Sequence, residues 1–345
     1  MSDGPLSMAV AEWWLILAVT LAAAVISAIV IRLIRPQLLK HALAKPNARS
    51  SHQIPTPQGA GIAVIAATLV IAGLALAYVA DTGFPVVLFA ATLFMAALGF
   101  ADDIKPVPVL PRLLLQAIAV GAIVLTSPSD LRIASSVPFW IERGLLVLAG
   151  LWFVNLVNFM DGLDWMTVAE AVPITAALAL LGLFGELPLT AAIVAAALCG
   201  AMIGFAPFNR PIASIFLGDV GSLPIGLLLG WCLLQLAWHQ HLAAALLLPL
   251  YYLADASVTL LRRLMRREPF WIAHRSHFYQ RATDNGFTVM QVVSEVVTLN
   301  LALAALAAIS IKTASSAADL ALIVMGVAAV VSVLVRFSQP QAAKT

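Results

Sequence analysis

The chain is dominated by apolar runs that are long enough, or nearly long enough, to cross a lipid bilayer. A spanning α-helix needs about 20 mostly apolar residues, and eleven runs of this kind occur in the 345 residues. They cover residues 13–31, 61–80, 84–100, 113–126, 139–157, 166–184, 189–205, 223–238, 242–261, 289–309 and 320–335. Hydrophobic residues make up 62% of the chain and charged residues only 10%, a composition that excludes a soluble domain.

The runs lack the alternation of apolar and polar residues that is typical of membrane-spanning strands. We therefore expect an all-α integral membrane protein, a polytopic bundle of about 10–11 transmembrane helices. No long polar segment separates the runs, so residues 1–345 are expected to form a single transmembrane domain.

Lysines and arginines are distributed unevenly between the two sides of this predicted bundle. If the N-terminus lies outside, the loops that face the cytoplasm hold 16 of the 19 basic residues, and only Arg132, Arg143 and Lys312 lie opposite. Cytoplasmic loops of membrane proteins are enriched in basic residues. The sequence therefore predicts an N-terminus outside and a C-terminus inside, and the first run, which lacks a signal cleavage site, is expected to stay as a helix.

Two adjacent carboxylates, Asp102 and Asp103, stand where the run 84–100 ends. Three prolines follow by position 111, so the helix is expected to stop there and to leave the acids at the boundary between membrane and water. Adjacent like charges repel, and a divalent cation or a cationic substrate would relieve the repulsion. The alternative is a solvated helix end that happens to be acidic.

A ladder of polar residues follows the run 139–157. Its members are spaced three apart and are Asn155, Asn158, Asp161 and Asp164. At helical spacing they would share one face, although Gly162 indicates a local break. Such a ladder is costly in a membrane helix unless it faces a cavity or a ligand. The alternative is a polar stripe that bonds neighbouring helices.

Two further carboxylates stand out: Asp219 is expected at the start of a helix, and Asp255 lies within one. Asp219 has glycines at 218 and 221 and is expected to open the helix of run 223–238, either presenting its carboxylate in a tight turn or merely capping the helix. Asp255 lies within the run 242–261, and a structural salt link and a role in lining a site are equally good interpretations.

The longest predicted cytoplasmic loop, residues 262–286, begins with four arginines, at 262, 263, 266 and 267. We interpret these as topological anchors that contact lipid headgroups. The later part holds His274, Arg275 and His277 beside aromatic residues, which suits anion binding or metal ligation. The alternative for this part is an amphipathic surface loop.

All of these polar clusters fall on the face that the charge distribution predicts to be cytoplasmic. This placement favours a membrane enzyme with a cytosol-facing active-site cleft. A transporter or lipid flippase is the alternative, but it would need polar residues near the bilayer midplane, and only Asp255 comes close. A catalytically dead scaffold is a third option, which the retained carboxylates argue against.

In order along the chain, the motifs resemble those of the polyprenyl-phosphate N-acetylhexosamine-1-phosphate transferase family, over residues 46–286. They are Pro46-Asn-x-Arg-Ser-x-His52, Thr56-Pro-x-Gly59, Asp102-Asp103, Asn158 with Asp161-Gly-x-Asp164, Gly218-Asp-x-Gly-Ser222 and the loop His274-Arg-Ser-His-Phe-Tyr-Gln280. The form of the last loop looks most like the branch that initiates O-antigen. Three positions depart from the family pattern: Gln58 replaces Arg, Ala60 replaces Gly, and Trp165 replaces Gly.

The resemblance implies transfer of a sugar 1-phosphate from a UDP-N-acetylhexosamine to undecaprenyl phosphate, with release of UMP. It implies Mg²⁺, with Mn²⁺ as an alternative, held by Asp103 and Asp219. It also implies a multi-pass protein of the bacterial inner membrane that contacts membrane lipids and no nucleic acid, with a homodimer as one option.

Site roles also follow from the resemblance. Asp102 would orient the acceptor or remove its residual proton. His274 and Arg275 would stabilise the leaving UMP, and His277 belongs to the same catalytic loop. The remaining residues bind substrate: Asn158, Asp161 and Asp164 the uridine and sugar, Arg49 and Lys105 the phosphates.

Overall fold

The computed structural model describes residues 5–44, 55–79, 85–268 and 274–341, and this part of the chain is almost entirely α-helical. The helices are α1 (Pro5–His41), α2 (Gly61–Tyr78), α3 (Val86–Ile104), α4 (Val109–Thr126), α5 (Phe139–Met160), α6 (Met166–Leu183), α7 (Leu189–Phe205), α8 (Asp219–Trp238), α9 (Leu242–Leu247), α10 (Leu250–Met265), α11 (Phe278–Asp284), α12 (Val289–Thr313) and α13 (Ser316–Phe337). Two short strands, β1 (Leu43–Ala44) and β2 (Thr56–Pro57), pair antiparallel.

Ten of these helices are long and apolar enough to cross a membrane, counting only the described residues. The predicted all-α polytopic bundle is therefore confirmed. The predicted span 242–261 is not one continuous helix: it breaks into α9 and α10 around Pro249. Proline has no backbone N–H to donate, and its ring clashes with the preceding turn, so an uninterrupted helix through this position is disfavoured.

The centre of the bundle is formed by α7 and α8. Helix α7 packs against α1, α2 and α6, and α8 packs against α3 and α5. At the α1–α7 crossing, a Cβ on Gly200 or Gly204 would overlap the backbone carbonyl of Thr20 or Ala24. Small residues four apart let two helix backbones approach closely, which is a principal source of packing energy between helices in a membrane.

The polar segments meet at one end of this bundle. The last turn of α3, the turn after α5, the first turn of α8 and the segment leading into α11 lie together there. The chain entering α2 joins them, because the N–H groups of Gly59 and Ala60 donate to the carbonyl of Phe216 at 3.1 and 3.0 Å. Segments that are far apart in sequence therefore build one polar site.

Candidate active site

Asp103 caps the first turn of α8. Its Oδ1 accepts a hydrogen bond from the backbone N–H of Asp219 at 2.9 Å, and its Oδ2 accepts from that of Val220 at 3.0 Å. The side-chain amide of Gln58 donates to the same Oδ1 at 3.1 Å. The first N–H groups of a helix have no partner within the helix, so Asp103 supplies what α8 lacks and fixes the position of Asp219.

Asp102, its neighbour in sequence, has different partners. Its Oδ2 forms an ion pair with Arg112 at 2.8 Å, and its Oδ1 accepts from the backbone N–H of Val107 at 2.6 Å. The carboxyl group also lies within hydrogen-bonding reach of that of Asp219. Two acidic side chains from α3 and α8 therefore meet side by side.

Asn158 orients this pair from the end of α5. Its Nδ2 donates to Oδ1 of Asp219 at 2.8 Å and to the hydroxyl of Ser222 at 2.8 Å. Asn155, one turn earlier, donates instead to Oε1 of buried Gln116 on α4 at 2.7 Å. Asn158 therefore contributes to the site, whereas Asn155 links α5 to α4 within the bundle.

The predicted helical face for all four polar residues is wrong beyond Asn158, because α5 ends at Met160. Asp161 follows the helix end, is half-buried and accepts a hydrogen bond from the hydroxyl of Thr167. Burial, with a smaller contribution from the charges of Asp103 and Asp164, raises the pKa of Asp161 to about 7.

Asp164 and the residue after it hold the loop that leads into α8. Oδ2 of Asp164 accepts from the N–H of Ala213 at 2.9 Å, and the N–H of Trp165 donates to Oδ1 of Asn209 at 2.8 Å. Trp165 has a φ of +65°, in the left-handed region that favours glycine. The departure from glycine at this position is thus accommodated in a backbone conformation that suits glycine, with the indole Nε1 donating to the carbonyl of Ala206.

The segment that carries the histidines is anchored by Asp255. This fully buried carboxylate accepts hydrogen bonds from His277 Nδ1 at 3.2 Å and from the N–H groups of Phe278 and Tyr279 at 3.0 and 3.1 Å. The hydroxyls of Tyr251 and Thr259 approach it at 3.3 Å. Asp255 is therefore a structural link that caps α11, one of the two interpretations that the sequence left open.

Tyr279 docks this segment onto the end of α5. Its hydroxyl donates to the carbonyl of Phe159 at 3.0 Å, and it lies so close to Gly162 that a Cβ at that position would overlap it. The rings of His274 and His277 stack with centroids 4.9 Å apart, and His277 stacks in turn on Tyr279 at 5.7 Å. The structure thus places the histidines beside the Asn158–Asp161 turn.

His274 and Arg275 differ in charge and surroundings. Burial, together with the neighbouring side chains of His277 and Arg263, lowers the pKa of His274 to about 4, so its imidazole is neutral at pH 7. Arg275 forms an ion pair with Asp284 at 2.9 Å. The neutral imidazole of His274 can donate or accept a hydrogen bond but adds no positive charge.

Two further residues, Arg49 and Lys105, were predicted to bind the substrate phosphates. Arg49 lies outside the described residues. Lys105 is exposed and directly follows the end of α3, two residues beyond Asp103.

Taken as a metal site, the arrangement offers few protein ligands. Among the residues whose positions are described, no group of three or more His, Cys, Asp and Glu side chains could hold a metal ion. The adjacent carboxyl groups of Asp102 and Asp219 are nevertheless the oxygen ligands that Mg²⁺ prefers, and Mg²⁺ commonly binds one or two carboxylates together with substrate phosphates and water. These residues therefore fit the ion in type. Both aspartates of α3 already have hydrogen-bond partners, but the carboxyl group of Asp102 meets that of Asp219, whereas the carboxyl group of Asp103 accepts the backbone N–H groups of α8.

Most residues of this site lie in a stretch of the chain that matches a known protein family. Residues 85–237 match glycosyl transferase family 4, a stretch that includes both aspartates of α3, the turn after α5 and Asp219. This matched stretch, 153 of the 345 residues, belongs to the family. The family resemblance predicted from the motifs is confirmed for this stretch. The segment around His274 lies outside the matched stretch.

Two curated relatives are similar to this chain over part of its length. The decaprenyl-phosphate N-acetylglucosaminephosphotransferase of Mycolicibacterium smegmatis is 32% identical over 218 residues, which cover 55% of this chain and 52% of that protein. The protein of the same name from Mycobacterium tuberculosis is 32% identical over 217 residues, 54% of this chain and 52% of the relative. The chain thus spans about half the length of the curated relatives it matches.

Several contributors to the site were not assigned a role from the sequence. Arg112 pairs with Asp102, Gln58 bonds Asp103, Thr167 bonds Asp161, and Tyr279 sets the position of the histidines. Arg112 could have been recognised from the sequence, because a single arginine at the start of an apolar run needs a group that pairs with its charge. The contact of Thr167 with Asp161 depends on a turn whose geometry the sequence does not specify.

Proposed function

We propose that this chain transfers the sugar 1-phosphate of a UDP-N-acetylhexosamine to undecaprenyl phosphate, releasing UMP and forming a lipid-linked diphosphate sugar. The observation that carries the proposal is the meeting of Asp102 and Asp219 next to Asn158 at one end of a membrane-spanning bundle. A diphosphate donor brings concentrated negative charge, and such a pair of carboxylates binds it only through a divalent cation.

An apolar groove beside this site supports a lipid acceptor. It has a volume of about 240 Å³ and lies between α4, α5, α8, α9 and α10. One end is lined by Val154, which is one helical turn from Asn158, and the other by Ala237 and Leu242 near the opposite end of the bundle. A polyprenyl chain in this groove would bring its phosphate to the carboxylates.

The reaction needs no strong base. The acceptor phosphate, with a second pKa of about 6, is largely a dianion at neutral pH. Its oxygen attacks the phosphorus that bears the sugar, a new P–O bond forms, and the bond from that phosphorus to the bridging oxygen breaks. UMP leaves with the electron pair of that bond.

The chain's residues have separate tasks in this proposal. Asp102 and Asp219 would hold Mg²⁺, or alternatively Mn²⁺, which when bound neutralises the charge of the diphosphate. Asp103 and Asn158 position Asp219. Arg275 would stabilise the charge on the departing UMP, with neutral His274 as a hydrogen-bonding partner.

Substrate contacts complete the assignment. Asp161 and Asp164 would border the uridine and sugar, and Arg49 and Lys105 would contact the phosphates. We further propose that the product initiates O-antigen or another cell-envelope polysaccharide, in the bacterial inner membrane with this site facing the cytoplasm. Cysteines placed at exposed Arg210 and exposed Ser129 test the orientation, since only the latter should react with an impermeant reagent in intact cells.

The contacts of Asp255 argue against the transporter alternative. Asp255 was the one ionisable side chain that suggested a path through the membrane, and five hydrogen-bond donors approach its carboxylate at 3.0–3.3 Å to hold α11 in place. A carboxylate occupied in this way has no capacity left to carry a substrate.

The test is an assay of the purified full-length protein with undecaprenyl phosphate and a panel of UDP-sugars, measuring UMP release and lipid product with and without Mg²⁺. We expect release with at least one UDP-N-acetylhexosamine, dependence on a divalent cation, and loss in Asp219→Asn. Asp130→Asn, an exposed change in the loop at the other end of the bundle, is the matched control. Full activity in excess EDTA, or UMP release without a lipid product, would contradict the proposal.

A further inference from the structure

A basic pocket lies where the end of α10 meets α11 and α13, and its lining includes none of the carboxylates of the proposed site. It has a volume of about 470 Å³ and is lined by Arg262, Met265, Arg266, Arg281 and Ser338. Its three arginines also line a neighbouring pocket of about 340 Å³ that includes Arg275, but the proposed reaction assigns no role to these three. We propose that this arginine pocket binds the phosphate of an anionic phospholipid headgroup.

The first argument is uncompensated positive charge. The guanidinium groups of Arg262 and Arg281 lie 4.5 and 6.0 Å from the centre of the same ring, that of Phe278. Arg266 is one turn from Arg262 on α10. Within the described parts of the chain, none of these three arginines forms an ion pair with a carboxylate.

The carboxylates nearest in sequence are already occupied. Glu268 pairs with Arg263 at 2.9 Å, and Asp284 pairs with Arg275 at 2.9 Å. Residues 269–273, which follow Glu268 in the sequence, contain no acidic residue. Three guanidinium groups gathered around one pocket repel each other unless an anion lies among them, and phosphate is the anion that guanidinium binds with two hydrogen bonds at once.

The second argument identifies a lipid as the source of the phosphate. Leu261, Leu264 and Met265 on the same part of α10 are 54%, 56% and 68% exposed, and Met265 lines the pocket itself. Exposed apolar side chains alternating with arginines at the end of α10 suit the boundary between acyl chains and headgroups. A free phosphate would leave this apolar surface in water.

The pocket is connected to the active-site segment. Phe278, whose ring lies near two of its arginines, follows His277 directly, and its N–H donates to Asp255 on α10. A phosphate bound by α10 and α11 together would hold the two helices against each other. The binding proposal stands on this pocket alone and does not depend on the reaction proposed above.

The experiment measures lipid binding to the purified full-length protein by native mass spectrometry, with thermal unfolding as a second readout. Phosphatidylglycerol is compared with phosphatidylcholine, and inorganic phosphate is added as a competitor. We expect selective retention of phosphatidylglycerol, a higher Tm in its presence, and no displacement by millimolar phosphate. Equal retention of the two lipids would overturn the proposal, and displacement by phosphate with no gain in Tm from the lipid would reassign the pocket to a free anion.

Variants separate this pocket from general surface charge. Each basic residue near a membrane surface contributes roughly fivefold to binding of an anionic lipid. Arg266→Gln, which leaves the Phe278 ring contacts intact, should weaken phosphatidylglycerol binding about fivefold, and Arg262→Gln with Arg281→Gln about twentyfold or more. Arg267→Gln removes the same charge outside the pocket and should have little effect. Equal losses in Arg266→Gln and Arg267→Gln would show that only net charge matters.

Discussion

Asp103 and Asp219 are joined through the backbone, with the carboxylate of Asp103 receiving the N–H of Asp219 at 2.9 Å and that of Val220 at 3.0 Å. The side chain of Asp219 thereby stays available to the site, where Asn158 orients it. Asp102, the adjacent residue in sequence, reaches the carboxyl group of Asp219 instead. Two neighbouring aspartates on the last turn of α3 thus have different tasks, one in positioning and one in contact with the charged site.

This division predicts different consequences for two conservative changes. In Asp103→Asn, the amide has one accepting oxygen, and its NH₂ would face a backbone N–H, so the free energy of unfolding should fall by about 1–3 kcal/mol. Asp219→Asn removes a carboxyl group next to Asp102 and should abolish UMP release without that loss of stability. Thermal unfolding and activity, measured on both variants, check the prediction. Equal stability of the two variants would contradict the capping role.

The contact between Gly162 and Tyr279 gives a second prediction. A Cβ at position 162 would overlap the hydroxyl of Tyr279, so Gly162→Ala should push α11 away from α5 and lower both Tm and activity. Tyr279→Phe removes that hydroxyl, together with its hydrogen bond to Phe159. In the double variant, the added methyl group meets less obstruction, and its effect should be smaller than in the wild-type background.

The measurement is a double-mutant cycle on Tm and on kcat. The two changes should be less than additive, because each one removes part of what makes the other harmful. Strict additivity would show that the segment containing the histidines does not depend on this contact.

Much of the site could be predicted from the sequence because it lies where apolar runs end. The end of α3 at the two aspartates and the start of α8 at Asp219 follow from composition, proline and glycine positions. Helical spacing, however, predicts a shared face only while the helix continues, and α5 ends at Met160. For that reason, the positions of Asp161 and Asp164 relative to Asn158 could not be predicted.

Hydrogen bonds between segments that are distant in the sequence could not be predicted. The capping of α8 by Asp103 and the anchoring of His277 by Asp255 each join different segments. Each depends on how helices that are remote in sequence pack, and one chain without its relatives carries no record of those pairings.

Asp161 gives a prediction about pH. Its pKa rises from 3.8 to about 7 in the folded protein, chiefly through burial. Between these values the folded state holds a proton that the unfolded state has released, so this residue makes the protein less stable as pH rises from about 4 to about 7. Asp161→Asn cannot ionise and should flatten that part of the profile, seen as a smaller fall in Tm between pH 5 and pH 7.5. The control is Asp130→Asn, which should keep the wild-type slope.

Arg275 tests whether the segment containing the histidines takes part in the reaction. Its guanidinium is paired with Asp284, a residue with a 58% exposed side chain, and that pair would have to open for Arg275 to meet the diphosphate. A guanidinium matches two phosphate oxygens at once, which lysine cannot do. If Arg275 stabilises charge in the transition state, Arg275→Lys should lower kcat by about 10²–10³ with little change in KM for the UDP-sugar.

Asp284→Asn is the matched comparison for this prediction, because it removes the same ion pair and leaves the arginine in place. It should keep kcat near the wild-type value, since an exposed ion pair contributes about 1 kcal/mol or less to stability. Steady-state kinetics on the two variants separate the roles. Similar, small losses in both would mean that the ion pair only steadies the surface of α11, and Arg275 would then have no part in the chemistry.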